Sequence, residues 1–211
     1  MQTNWRFTHW VGSVFAQTNG SSRIGGGENI QPAIKAILRR GTLSFTAHGS
    51  MGAFVGSTIT AAGMVEGDIT SARGWVEAPV AMLTTRNALR DRDMRAALEA
   101  AIHPVMRFDL IRVEVLSDDT VGDTFVVGLH GTLTIRGVKR VVYLPATVAI
   151  DTHAIRVEAA FPLDLEAYRI GNLSRMFGLL RLKREIEVRL DLQFTRLRAN
   201  DPLRNDPLRI E

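Results

Sequence analysis

The second half of the chain alternates apolar and polar positions with a period of two. From Thr124 to Ile135 the odd-numbered positions, among them Phe125 and Leu133, are apolar or glycine, and most of the intervening positions are small or polar. The same period recurs from Ile155 to Leu163 and from Ile186 to Phe194. Because successive side chains of a strand point to opposite faces, each stretch predicts a strand with one dry face and one wet face.

Further strand patterns, of which the first four are weaker, precede and separate these stretches. They run from Thr42 to His48, Thr58 to Met64, Gly74 to Leu83, Met106 to Leu116 and Lys139 to Ile150. In the fourth of them the apolar phase slips between Leu110 and Ile111, which predicts a β-bulge. In the last, Pro145 favours a sheet edge or a bulge because proline has no backbone N–H to donate.

About eight short strands with few helical patterns between them predict an all-β, antiparallel fold rather than a parallel α/β sheet. Periodicity alone leaves open whether the strands form a two-layer sandwich or a closed barrel. Closure is favoured because a single sheet of this length would leave two unprotected edges.

Two short helices are predicted. The first has an apolar stripe of Met94, Ala97, Leu98 and Ala101, with Asp91 or Asp93 as its cap and Pro104 as its end, and we expect it to lie across the barrel. The second would run from Pro32 to Arg40, with proline at its start and Gly41 where a C-cap belongs.

Length and composition narrow the class of protein. A chain of 211 residues that is 45% hydrophobic can bury one substantial core, so we expect one main domain. The chain has no run of 18 apolar residues, which argues against a transmembrane helix, and no cysteine, which excludes disulfides. The net charge of +4 is too small to indicate a nucleic-acid partner, and no recognition motif supports one.

The sequence contains no motif for metal binding or catalysis. None of its five histidines has a histidine at i+4 or an acidic partner at metal-ligand spacing, so no metal site is expected. There is no Gly-x-Ser-x-Gly and no nucleophilic cysteine, although a serine site assembled in three dimensions would not show in the spacing. The glycines from Gly49 to Gly56 do not predict a phosphate loop, because no Lys-Ser/Thr follows them.

Three segments in a fixed order carry a resemblance to a known family. They are Asn87 to Met94, with an Arg-Asp pair at Arg90 and Asp91, His103 to Phe108, and Gly131 to Arg140, which reads Gly-x-Leu-Thr-Ile-x-Gly-Val before Lys139. In that order they resemble the YceI-like family, over roughly Gly41 to Phe194. The resemblance implies an antiparallel eight-stranded lipocalin-like barrel with one or two short helices, which holds a long isoprenoid lipid and has no catalytic residues.

If the barrel is hollow, its inward apolar side chains would contact such a lipid. The alternative is that the same side chains fill the interior completely as a packed core. The residues expected to line the pocket are Phe45, Phe54, Val76, Val80, Phe108, Leu110, Phe125, Val127, Leu129, Leu133 and Phe161.

A polar head group would need donors at the barrel mouth. The resemblance places Arg90 there, with Arg107 and His103 as further candidates, since guanidinium groups bind phosphates and can donate to quinone carbonyls. The alternative is structural: Asp91 caps the helix and Arg90 pairs with a loop carboxylate. No cofactor is expected other than a bound polyisoprenoid or quinone.

Residues 1–40 form an extension before the barrel, residues 41–196 form the barrel, and residues 197–211 form a tail. The aromatic residues Trp5, Phe7, Trp10 and Phe15 indicate an arm that docks on a membrane or a partner, although a cleaved signal peptide is the alternative. The extension and the tail depart from the family pattern, whose members are usually exported behind a clear signal.

Two functions follow as hypotheses. The first is non-catalytic binding or carriage of a polyisoprenoid or isoprenoid quinone, in the periplasm and in association with the membrane. The second is a role as accessory or scaffold subunit of a membrane-associated protein complex, docked through the aromatic arm.

Overall fold

The computed structural model of the chain describes residues 34–49, 52–117, 124–171 and 182–197. These residues form nine strands, one α-helix and two 3-10 turns, Val80–Met82 and Glu166–Tyr168. The helix, α1, is Ala88–Ala97, and the strands are β1 Ile34–Gly49, β2 Gly52–Thr58, β3 Ala62–Gly67, β4 Arg73–Pro79, β5 Val105–Ser117, β6 Thr124–Ile135, β7 Val138–Ile150, β8 Ala154–Asp164 and β9 Glu185–Arg196.

The sheet closes on itself because β1 has neighbours on both edges. One edge of β1 pairs with β9, and the other pairs with β2 and β3. Moving six residues back along β1, from Leu43 to Ile37, moves the partner six residues forward, from Thr58 to Met64. Since β2 and β3 follow one register, they are a single interrupted strand, and the fold is the eight-stranded antiparallel barrel expected from the sequence.

The two ends of the barrel are built differently. We call the end with the turns at residues 68–72 and 151–153 the lower end, and the end with α1 the upper end. At the lower end all eight neighbouring pairs of strands are hydrogen-bonded. At the upper end, β7 and β8 separate, because their described pairing covers only residues 146–150 and 155–159.

Prolines explain where β7 and β8 part. Pro145 directly precedes Ala146, where the pairing with β8 begins, and Pro162 lies on the part of β8 that pairs with β9 but not with β7. Neither residue can donate a backbone hydrogen bond across this seam. Pro145 keeps a neighbour on β6, Gly128, so it stands at a local edge, as its sequence context predicts.

A second seam separates β2 from β4. Strand β4 ends at Pro79, and beyond it the chain returns to β2 at a single bridge within the described residues, between Ser57 and Thr84. Helix α1 then starts four residues after Thr84. Helical structure therefore takes the place of strand pairing at the upper end.

The bulge predicted in β5 is confirmed. The register against β6 shifts between Leu110 and Arg112. Because of this shift, Val113 lies on the same inner face as Leu110, whereas strict alternation would have placed Arg112 there. The bulge therefore keeps a charged side chain out of the barrel interior.

The segment Gly131 to Arg140 is the end of β6, a tight turn and the start of β7. Arg136 and Gly137 occupy the turn with φ angles of 52° and 70°. Two central residues with positive φ are typical of two-residue hairpins, and glycine adopts this conformation at little cost.

The helix predicted from Pro32 to Arg40 is wrong over its described residues, 34–40, which are the first part of β1. Residues 34–37 pair with β3, and residues 36–40 pair with β9. Two long-range partners thus override the local helical pattern. The predicted strand from Thr58 to Met64 is confirmed at Thr58 and at residues 62–64 but is interrupted at residues 59–61, and the strand predicted from Gly74 to Leu83 ends at Pro79.

Helix α1 is confirmed, with two corrections at its ends. Its cap is Asn87, whose side chain accepts a hydrogen bond from the backbone N–H of Arg90 at 3.0 Å. It ends at Ala97 rather than Pro104, because Glu99 adopts a left-handed conformation with φ of 50°.

The buried stripe of α1 is shorter than predicted. Met94, Ala97 and Leu98 are buried as expected, whereas Ala101 is exposed because it lies beyond the end of the helix. The predicted caps fail for a different reason: Asp91 is buried inside the first turn, where its carboxylate serves the preceding loop, and Asp93 pairs with Arg92.

Candidate functional site

The barrel encloses a cavity of about 270 Å³. Side chains from all nine strands and from α1 line it, and the lining reaches both the lower turn and the upper end. Small-molecule sites usually measure about 300 to 1,000 Å³, so the volume lies just below that range.

The cavity is almost without charge. Among the 45 described residues that line it, only Asp68, Glu77 and Arg107 are charged. Glu77 and Arg107 form an ion pair with 3.1 Å between Oε2 and Nη1. The Oδ1 of Asp68 accepts hydrogen bonds from the backbone N–H of Ser71 and from the hydroxyl and backbone N–H of Thr70, and hydrogen bonding by these two residues lowers the pKa of Asp68 to about 2. The backbone N–H of Asp68 in turn donates to the Ser71 hydroxyl oxygen. The three charged side chains of the lining thus have partners within the protein, and a ligand would be held by the burial of apolar surface.

Most of the side chains predicted to line the pocket do face the cavity. Val127 and Val80, however, are 0% and 1% exposed and are packed in the core away from the cavity lining, and Phe125 also lies outside that lining. The interior is therefore partly packed core and partly cavity, which combines the two alternatives. The eight predicted residues on the lining are Phe45, Phe54, Val76, Phe108, Leu110, Leu129, Leu133 and Phe161.

Sequence reasoning missed several lining residues. The dry faces of β8 and β9 contribute a large part of the lining, including Leu163, Val188 and Phe194, whereas the predicted lining contains only Phe161 from these strands. Their period-two alternation was visible, and continuing it would have found them. Met94 and Ala97 were recognised as a helix stripe, but only the position of α1 over the cavity shows what that stripe contacts.

Arg90 lies beside the cavity wall. Its guanidinium carbon is 4.2 Å from the ring centroid of Phe54, a lining residue, which is the geometry of a cation–π contact. The Asn87 cap fixes the backbone at Arg90. An arginine is thus available next to the apolar interior at its upper end.

The other two predicted head-group residues have different partners. Arg107 donates from Nε to Asp109 at 2.8 Å and from Nη1 to Glu77, and it stacks 4.7 Å from the ring of Trp75. This arrangement occupies its guanidinium with carboxylates of its own sheet. Arg107 therefore contacts Asp109, Glu77 and Trp75, whereas Arg90 contacts Phe54, and the two arginines share none of these partners.

His103 belongs to the turn region rather than to the cavity wall. Its Nε2 is 3.8 Å from the carboxylate of Glu99, and its ring packs so closely on Gly137 that a Cβ there would come within 2.5 Å of Cε1. Arg136 adds links to Glu99 and to the carbonyl oxygen of Arg169. These contacts connect the end of α1 to the β6–β7 turn.

Asp91, which follows Arg90, has a structural role. Its Oδ1 accepts hydrogen bonds from the backbone N–H of Thr85 at 2.7 Å and from the Thr85 hydroxyl at 2.6 Å, and its Oδ2 accepts one from the Thr84 hydroxyl at 2.8 Å. Since Thr84 also forms the bridge to β2, this buried carboxylate fastens α1 to the barrel wall.

Other predicted features can be placed only in part. Trp5, Phe7, Trp10 and Phe15 lie outside the described residues. Within the described segments, no group of three or more histidine or acidic side chains is arranged to hold a metal ion. No helix in the same segments is both long and apolar enough to span a bilayer.

Comparisons with known proteins agree with this architecture. A family model described as YceI-like domain matches residues 30–194. A polyisoprenoid-binding domain from Saccharophagus degradans, implicated in plant cell wall breakdown, is similar in structure with a TM-score of 0.64 and 16% identity, covering 77% of this chain and 98% of that one. BcnA from Burkholderia cenocepacia is similar in structure with a TM-score of 0.61 and 16% identity, covering 72% of this chain and 95% of that one. No match was found among curated proteins. At these identities the two structures establish the fold.

Proposed function

This chain belongs to the YceI-like domain family, and on that premise we propose that it binds a long apolar lipid, a polyisoprenoid or an isoprenoid quinone, inside its barrel without catalysing a reaction. The observation that carries the proposal is the cavity, which is continuous and nearly free of charge. A structural neighbour described as a polyisoprenoid-binding domain supports the same class of ligand.

The physical basis is the burial of hydrocarbon. Each CH₂ group removed from water contributes about 0.8 kcal/mol, and the ordering of a flexible chain subtracts from that gain. A slender polyprenyl chain can follow a cavity that runs from the lower turn near Asp68 to Leu165 at the upper end. With no unpartnered charge on the lining, specificity for the tail would come from width and length.

The test narrows the cavity and leaves the outer surface intact. Ala159 on β8 is buried and lines the cavity, and its neighbour Ala160 is exposed on the opposite face of the same strand. The full chain is incubated with decaprenol or ubiquinone-10, separated by gel filtration, extracted with organic solvent and quantified by mass spectrometry. We expect Ala159→Phe to retain several-fold less lipid than wild type, and Ala160→Phe to retain as much.

Equal retention by wild type and Ala159→Phe, with both folded by circular dichroism, would refute binding in the cavity. Overpacking costs about 1–3 kcal/mol, so a folding check is required. If Ala159→Phe does not fold, Ala159→Val is used in its place against Ala160→Val.

We further propose that the protein works in the periplasm, where an apolar cargo needs a carrier through water. Fractionation of cells that produce the full chain tests this, and recovery only in the cytoplasm would contradict it. The scaffold role remains a second prediction, since its aromatic arm lies outside the described residues. Deletion of residues 2–22 should then release the protein from membranes, and an unchanged membrane fraction would contradict that role.

A further inference from the structure

We infer that the upper end of the barrel carries a surface that docks on an anionic lipid bilayer, at the place where lipid passes between the bilayer and the cavity. The passage of lipid rests on the proposed function, whereas the docking does not. We call this surface the α1 surface; it consists of Val55, Ile59, Met82, Arg86, Leu89, Arg90 and Arg92.

The α1 surface is contiguous because two backbone hydrogen bonds join its segments. The N–H of Ser57 donates to the carbonyl oxygen of Thr84 at 2.9 Å, and the N–H of Thr84 donates to that of Ser57 at 3.0 Å. Because the bridge is antiparallel, Ile59 lies near Met82 two residues to one side of it, and Val55 lies near Arg86 two residues to the other side.

The apolar members of the surface are unusually exposed for large side chains. Ile59 is 81% exposed, Leu89 60%, Val55 56% and Met82 52%. Single exposed apolar residues are ordinary on protein surfaces, but a group on adjoining segments indicates an interaction site. Val55 lies on β2 and Ile59 directly follows it, whereas Met82 ends the 3-10 turn and Leu89 lies in the first turn of α1. None of the four lies on a face covered by another described element.

The charged members have the sign that suits a bilayer with anionic head groups. Residues 80–98 contain four arginines against two aspartates. Of these aspartates, Asp91 is buried against Thr84 and Thr85, and Asp93 pairs with Arg92, whose side chain is still 73% exposed. Arginine binds phosphate groups through two parallel hydrogen bonds and buries its aliphatic stem along apolar surface.

The same elements also reach the cavity. Arg90 stacks on Phe54, and Leu83 and Met94 line the interior. One side of the loop and helix therefore contacts the cavity, and the other side carries the exposed apolar residues. A lipid that leaves a bilayer at the α1 surface would therefore be separated from the cavity only by this loop and helix.

A bilayer is favoured over a protein partner by the composition of the surface. Apolar side chains interspersed with arginines are typical of elements that lie in the interface of a membrane, where the tails accept the apolar residues and the phosphates accept the cations. A protein partner would be an outcome of the test below, namely no binding to protein-free vesicles.

The experiment measures sedimentation of the full chain with sucrose-loaded vesicles. One set is phosphatidylcholine alone, and the other is phosphatidylcholine mixed with phosphatidylglycerol. The test variant is Ile59→Gln with Leu89→Gln. The matched control is Val126→Gln with Val141→Gln, two residues that are 46% and 85% exposed on the outer face of β6 and β7.

We expect wild type and the control to bind anionic vesicles equally, and the test variant to bind at least roughly threefold more weakly. Arg86→Gln should weaken binding to the mixed vesicles and leave binding to phosphatidylcholine unchanged. Equal binding by the test variant and the control, or no binding by wild type, would overturn the inference.

Retention of decaprenol by the same variants separates this inference from the proposed function. If wild type retains decaprenol but its vesicle binding does not depend on the α1 surface, the inference fails and the proposed function stands. If wild type retains no decaprenol but binds vesicles through the α1 surface, docking stands and the proposed function fails. Normal decaprenol retention by the test variant, together with weak vesicle binding, supports both.

Discussion

The lower and upper ends of the barrel are stabilised in different ways. At the lower end, every strand is hydrogen-bonded to both of its neighbours, so the strands form a continuous ring. The pairing of β1 with β3, at residues 34–37 and 64–67, closes this ring. At the upper end, the described strands part at two seams, and single side chains such as Asp91 and Arg136 join the pieces. The lower end is therefore held by continuous strand pairing, and the upper end is held partly by individual side-chain contacts.

The difference shows where the cavity can open at least cost. Opening the lower ring requires the loss of many cooperative backbone pairs together with buried apolar contacts, whereas opening the upper end requires the loss of a few polar contacts around α1. We therefore expect the two ends to respond differently to substitutions, and the following predictions run from the largest effect to the smallest.

The largest effect is expected in the lower ring. Phe194 on β9 is 4% exposed and pairs with Leu38 and Ile155. Phe194→Ala should lower the free energy of unfolding by about 3–5 kcal/mol, because it removes a large buried side chain that the neighbours cannot replace. Urea unfolding followed by circular dichroism measures this. Val141→Ala, at a position 85% exposed, is the control and should change stability by at most about 0.5 kcal/mol.

The next effect should be confined to the upper end. Asp91→Asn replaces an acceptor oxygen by a donor NH₂ that faces the donors of Thr84 or Thr85, and should cost about 1–3 kcal/mol. Hydrogen exchange of α1 should accelerate, while that of β8 and β9 stays unchanged. Asp93→Asn, which alters the ion pair with the exposed Arg92, is the control. Equal acceleration in β9 would show that the two ends unfold as one unit.

Acid should weaken the contacts of the Asp91 carboxylate with Thr84 and Thr85. Burial would raise the pKa of Asp91, but hydrogen bonds from Thr85 and Thr84 and the charge of Arg95 outweigh it and hold the pKa below the ordinary value of 3.8. A carboxyl whose pKa is lower in the folded state stabilises it above its unfolded-state pKa, and this contribution is lost as the pH falls through the folded-state pKa.

The stability difference between wild type and Asp91→Asn should therefore be full at neutral pH and shrink below about pH 4. Urea unfolding of both proteins over this range measures it. A difference that stays constant down to pH 2 would show that the carboxylate charge is not what fastens α1.

The smallest effect is expected at an exposed ion pair of the upper end. Arg184 contacts the carboxylates of Asp164 and Glu166, but its side chain is 61% exposed. Arg184→Gln should cost at most about 1 kcal/mol, and less in high salt. The urea midpoint at two salt concentrations measures this. A cost comparable to that of Asp91→Asn would mean that exposed pairs fasten the upper end as strongly as the buried carboxylate does.

Most strands of the barrel wall can be predicted from the sequence. Period-two alternation identified β6, β8 and β9, and the slip of phase at Leu110 identified the bulge in β5. Both are local properties of a half-buried strand, in which neighbouring residues must face opposite environments. Eight of the eleven predicted pocket residues lie on the cavity for the same reason.

The upper end could be predicted only in outline. The apolar stripe predicts the helix, but the local pattern favours Asp91 or Asp93 as its cap, whereas the cap in the structure is Asn87. Three side chains with oxygen acceptors compete within seven residues, and local rules do not show which of them the tertiary contacts will bury. The burial of Asp91 depends on Thr84, whose position is set in turn by a bridge to Ser57, 27 residues away.

The sequence alone determined that this chain is all-β, where most of its strands run and which faces of them are apolar, because these properties depend on the order of neighbouring residues. Tertiary structure alone decided that residues 34–40 form a strand, since Ile34 pairs with Gly67 and Ala36 with Arg196. It also decided that the barrel parts at its upper end and that Arg107 is occupied by carboxylates while Arg90 lies beside the cavity. These outcomes depend on partners far away in the chain, whose pairing no local pattern records.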